Sequence, residues 1–149
     1  MSLDKKDLLI LDELKANAKL TTGQISRKLR IPVTTVHNRI KKLEKEGVVE
    51  GYTVRVNHKK LGRPVVAYIL ITVMYVLPGT GKKIKQDELA LRLKRFSEVE
   101  EVNIMAGVTD ILIKVRVDSV DGLNDFIIKK LRSVDGVDKT QTMMVLSKA

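Results

Sequence analysis

Up to residue 46 the apolar positions recur at helical spacing, and from residue 65 they gather into strand-length runs separated by two further helical stretches. Asp4 stands where a helix N-cap is expected, with Asp7 in the first turn, and Leu8, Ile10, Leu11 and Leu14 carry a first helix to about Ala16. Because Leu8 to Leu11 is apolar without a gap, that helix is expected to be buried on more than one side. Thr21-x-x-Gln24 has the form of a capping box and opens a short second helix with Ile25 and Leu29 inward. Pro32 biases Ile31 away from helical angles, so the chain turns there. Thr34 is then expected to cap a third helix running to about Glu46, with Gly47 ending it in the left-handed conformation.

Advancing about 100° per residue along the third helix puts Val36, Ile40 and Leu43 on one stripe and Thr34, Asn38, Lys41 and Lys45 opposite, flanked by Thr35, His37 and Lys42. Aliphatic residues pin one side and polar residues face outward. A hairpin of Val48-Val49 and Tyr52 to Val56 about Glu50-Gly51 is expected next. Three helices, the second and third joined by a tight turn, followed by a two-stranded wing, make a winged helix-turn-helix. In that arrangement the third helix fits a major groove. Thr34, Thr35, His37, Asn38 and Lys41 would address base edges, and Arg39, Lys42 and Lys45 would hold phosphates.

The remainder reads differently. Asn57 to Pro64 is polar and punctuated, a linker between a domain at 1–56 and another at 65–149. Val65 to Val76 is a β-branched and aromatic run stopped by Pro78-Gly79. A loop and a helix from about Asp87 to Ser97 follow, then strands at Val99 to Ala106 and Ile111 to Val117, a helix at Ser119 to Leu131 and a last strand at Val137 to Leu146. The order is βαββαβ, giving an α+β chain whose second domain is a ferredoxin-like split sheet with both helices on one face. Leu93, Phe96, Val99 and Val102 recur, 35 residues on, as Ile128, Leu131, Val134 and Val137, where the two halves of such a sheet correspond. The first strand is apolar on both faces, so its second face needs a cover, and a second copy of the sheet is the simplest one.

Charge adds a partner and removes several functions. The chain carries 28 Lys and Arg against 18 Asp and Glu, a net +10. Up to Pro64 there are 15 basic and 7 acidic residues, and beyond it 13 and 11, so the excess falls on the helical part and points to a polyanion. Arg27 to Lys45 holds seven basic residues and one acid. There is no Cys, and His37 and His58 stand at no metal-ligand spacing, so neither metal nor thiol chemistry is expected. No nucleotide-binding glycine fingerprint and no Ser, His and carboxylate set occur, and Glu100-Glu101 sit at an element end where solvation accounts for them. The chain is expected to be no enzyme, to need no cofactor, and, lacking a signal peptide or an apolar span, to work in the cytoplasm with no membrane contact.

Taken together, Leu9-Ile10-Leu11-Asp12-Glu13-Leu14, the run Thr35 to Val49, Leu61-Gly62, Gly107-x-x-Asp110 ahead of Ile111 to Val115, and Gly136-Val137 before a Thr-rich strand resemble the Lrp/AsnC regulators of bacteria and archaea. The resemblance covers nearly the whole chain. It implies a winged-helix DNA-binding domain joined to a ferredoxin-like ligand-sensing (RAM) domain, homodimers built from facing sheets, and octamers that wrap double-stranded DNA. It also implies an amino-acid effector near the turn formed by Gly107, Val108, Thr109 and Asp110. Gly107 allows a tight turn and close approach by a ligand, and Asp110 can accept hydrogen bonds from an ammonium group, although a plain hairpin turn accounts for both residues equally. The expected function is a sequence-specific transcription regulator modulated by an amino acid or related metabolite. The competing expectation is an architectural nucleoid-type protein that wraps DNA without an effector.

Overall fold

Helix α1 (Lys5–Ala16) begins at Asp4, whose carboxylate accepts the Asp7 N–H at 2.9 Å while Asp7 accepts the Asp4 N–H at 3.0 Å, a reciprocal cap. Helix α2 (Thr22–Leu29) opens on the expected Thr21 and Gln24 box. The turn after it is tight because Arg30 adopts φ 53° and the Ser26 hydroxyl donates to the Ile31 carbonyl at 2.6 Å. Helix α3 (Val33–Lys45) is capped by Pro32 and not by Thr34, which lies inside its first turn. Proline fits this boundary because its fixed φ and missing N–H cost nothing where no intrahelical partner exists. Gly47, at φ 71°, follows the end of the helix.

A computed structural model describes residues 2–147, which divide into two compact units with the boundary between Val56 and Asn57. In the first, Ile10, Leu14, Ile25, Ile31 and Val36 form the core, with Leu20, Leu29 and Ile40 packed against it. Helix α1 buries one side only: Leu8 is 50% exposed and Leu9 39%, contrary to the expectation from the unbroken apolar run. A helix of this length meets α2 and α3 through one stripe, and Asp7 occupies part of it in place of an apolar side chain. The expected wing hairpin is absent as a ladder. Residues 48–56 carry no strand, and the Val48 and Val49 N–H groups return to the Leu43 carbonyl. Gly51 lacks the positive φ that a tight hairpin turn requires.

The second unit contains β1 (Val65–Val73), α4 (Gln86–Leu93), β2 (Val99–Ile104), β3 (Ile111–Val117), α5 (Val120–Asp125) and β4 (Val137–Met144). All pairings are antiparallel in the order β2-β3-β1-β4, the split βαββαβ sheet. Ala67, Ile69, Ile71 and Val73 face Leu89, Leu93, Leu123, Phe126 and Leu131 in the core. Residues 57–64, expected as a linker, belong to this unit and form turns, and Arg63 donates to the Ser97 and Arg116 carbonyls at 3.0 and 2.8 Å. Helix α5 gives way to a π turn at Phe126–Lys130. That wider turn brings Phe126 rather than Ile127 fully into the core and leaves Ile128 54% exposed, so the second copy of the internal repeat holds only from Leu131 onward. No helix among the described residues is long and apolar enough to cross a membrane.

Candidate functional site

Helix α3 is held from behind by Val36 and Leu43, both fully buried, and by an ion pair that sequence spacing does not reveal. Arg39 reaches Asp7 at 2.6 Å and Asp4 at 2.7 Å, and the Asp7 side chain is only 4% exposed. The Asp7 N–H, followed by the Arg39 guanidinium, holds the Asp4 carboxyl below its ordinary range, while the two carboxylates hold the Arg39 proton more tightly than usual. Arg39 therefore stands apart from the expected phosphate-binding set: its charge is committed to fixing α3 against α1. Lys28 and Glu13, 2.6 Å apart, tie α2 to α1. At the far end of α3 the Tyr52 hydroxyl donates to Glu44 at 2.7 Å, which raises the Tyr52 pKa and fastens the segment after the helix.

What this scaffold presents is a polar outer surface. Thr34, His37, Asn38, Lys41, Lys42 and Lys45 are exposed and Thr35 is half-buried. Among the described residues Lys41, Lys42 and Lys45 enter no ion pair, unlike Arg39. A helix of this length spans about 20 Å. Its bare polar surface can enter a groove about 12 Å wide, with threonine, histidine and asparagine offering donors and acceptors and the lysines offering unneutralised charge.

In the second unit the turn between β2 and β3 holds the other expected site. Gly107 adopts φ 143°, and Val108 is 97% exposed. Asp110 is engaged: its carboxylate accepts the Val73 N–H at 2.7 Å and the Tyr75 hydroxyl at 2.6 Å, and its carbonyl accepts the Gln86 side-chain amide. The hydrogen bond to Asp110 raises the Tyr75 pKa. Asp110 thus ties the turn to the end of β1, and a ligand ammonium group would share this carboxylate with two protein donors.

Glu100, expected to be merely solvated, is paired with Arg116, itself 4% exposed, and lies 3.4 Å from Lys114. Burial pushes the Glu100 pKa up, but these two cations outweigh it and the net shift is downward. The cluster lies on the sheet face away from the helices, beside half-buried Tyr68 and Leu70. Among the described residues no three His, Asp or Glu side chains gather as a metal site. The unit boundary also redraws the charge map. Up to Val56 there are 12 basic and 7 acidic residues and from Asn57 16 and 11, so each unit carries +5.

Residues 3–50 match the family model of winged helix-turn-helix DNA-binding domains, and residues 71–149 that of the Lrp/AsnC ligand binding domain. An uncharacterised HTH-type transcriptional regulator of Pyrococcus furiosus is 42% identical over 142 residues, covering 95% of this chain and 91% of its own. The solved structure of E. coli AsnC superposes with a TM-score of 0.83 at 27% identity, over 99% of this chain and 95% of that one. A transcriptional regulator of Neisseria meningitidis, solved in complex with L-Met, has the same fold, with a TM-score of 0.86 at 24% identity over 99% and 92% of the two chains.

Proposed function

The chain belongs to the Lrp/AsnC family of DNA-binding transcription regulators with a ligand-binding domain, and on that premise we propose that the outer surface of α3 reads operator DNA under control of a small metabolite. Thr34, Thr35, His37, Asn38 and Lys41 address base edges, and Lys42 and Lys45 hold phosphates. Arg39 is left out of this set because its guanidinium is bound to Asp4 and Asp7. The observation that carries the reading is an exposed helix face whose lysines have no carboxylate partner among the described residues, on a helix locked from behind by buried aliphatics and an ion pair.

Control resides in the second unit. An amino acid or related metabolite binds at the turn Gly107 to Asp110, with Gly107, Val108 and Thr109 as the contact surface and Asp110 shaping the turn through Val73 and Tyr75. The open sheet face around Tyr68, Leu70 and Leu112 is covered by a second copy, which makes a homodimer and the unit of higher assembly such as an octamer. Effector occupancy then changes assembly and promoter occupancy together. L-Met, found with the Neisseria regulator, is a first compound to try.

Asn38→Ala with Lys41→Ala tests the reading by fluorescence anisotropy on a cognate operator. The pair should weaken binding by about 1–3 kcal/mol for each side chain that reads a base edge. Unchanged affinity with an intact fold would remove α3 from the interface.

A further inference from the structure

The +5 of the second unit is not spread over it. Between Leu77 and Ser97 lie six basic and two acidic residues, so +4 of that charge belongs to one loop, the helix after it and the turn that ends the helix. The loop is braced by its own contacts: Val76 bridges Lys83, the Leu77 N–H donates to the Lys82 carbonyl, and the Ile84 N–H donates to the Tyr75 carbonyl. Ile84, 6% exposed, anchors it in the core against Gly136. The anchored loop and α4 enclose a groove of about 360 Å³ lined by Lys82, Lys83, Arg92 and Arg95. Glu88 is the single acid in its wall, and it is paired with Lys85 at 3.2 Å. Arg92 donates to the Asp135 carbonyl. Lys82, Lys83 and Arg95 are exposed and, among the described residues, enter no ion pair.

We infer that this groove is a second phosphate-binding surface, which holds the backbone of the same duplex DNA that α3 engages. Three unneutralised cations, two on the loop and one just past the end of α4, match a polyphosphate backbone in charge, and the nearby carboxylate is already paired with Lys85. Duplex DNA is the occupant because the first unit delivers it: a duplex held by one unit is presented to the other at a high effective concentration, where even weak attraction to phosphates matters. The inference rests on the DNA reading of α3. It adds affinity and salt dependence but no base readout, since phosphate contacts carry no sequence information.

The test measures binding of the full chain to a mixed-sequence duplex of about 60 base pairs across a salt series, because backbone contacts are sequence-independent. Lys82→Gln, Lys83→Gln and Arg95→Gln together should weaken binding and make the slope of log K against log salt shallower by about 1 for each phosphate that is no longer neutralised. A control that removes equal charge from the same unit, Lys59→Gln, Lys60→Gln and Lys139→Gln, should keep the wild-type slope. A second variant confined to the loop, Lys82→Glu with Lys83→Glu, should lower affinity in the same direction and arbitrates if the triple variant is poorly folded. A groove variant with wild-type slope, or a control that shifts as far, overturns the inference. Lys41→Gln, Lys42→Gln and Lys45→Gln form the separate arm for α3: wild-type binding there sinks the helix assignment whatever the groove variants do.

Discussion

Arg39 stands in the sequence among the basic residues of a recognition helix, yet its guanidinium turns inward to Asp4 and Asp7. Nothing in the linear pattern distinguishes it from Lys42, because the decisive partner is 32 residues away and depends on how α1 crosses α3. Asp110 was legible as a turn residue, but its two donors, Val73 and Tyr75, come from a strand end 37 and 35 residues earlier. Asp7→Asn, which removes the charge facing Arg39, should lower the thermal midpoint of the helical unit by several degrees in circular dichroism; an unchanged midpoint would deny the ion pair a structural role. Asp4 has a pKa lowered by folding, so it adds stability above its ordinary 3.8 and loses it as pH falls through the lower folded value. Acid titration should therefore show the helical unit losing stability as pH falls below 3.8, and Asp4→Asn should flatten that part of the profile.

Elements were legible where a local chemical signal marked them. The Asp4 and Thr21 caps, the Gly47 stop and the β-branched run of β1 each announce themselves within a few residues, and the structure places them accordingly. Elements that depend on a distant surface were not. The segment at 48–56 alternates as a strand does but finds no ladder within its own unit, and the π turn after α5 has no local signal in the sequence. The loop before α4 is expected only as a connection, whereas Ile84 makes it part of the core. Gly136→Ala tests that anchor: at φ 100° its new Cβ would stand 2.7 Å from the Ile84 Cγ2 atom. Strain and overpacking together should cost about 1–3 kcal/mol in urea unfolding. A neutral result would mean the loop yields freely.

Across the whole molecule, charge and unpaired surface divide the labour differently from the sequence count. The boundary after Val56 leaves Lys59, Lys60 and Arg63 in the second unit, and the two units carry equal net charge. The open sheet face, with Tyr68 and Leu70 half-buried beside the Glu100, Lys114 and Arg116 cluster, is apolar in one strip and ionic in the next. Leu70→Arg should shift the chain toward monomer in sedimentation, and an unchanged mass would place the dimer contact elsewhere. On the proposed function, α3 gives this chain its sequence preference for DNA. Selection of bound genomic fragments by the wild-type chain and by Asn38→Ala with Lys41→Ala, each with and without amino acids, tests it most directly. The wild type should recover a recurrent pseudo-palindromic motif that the variant does not enrich; fragments with no shared motif, or the same motif recovered equally by the variant, would contradict it.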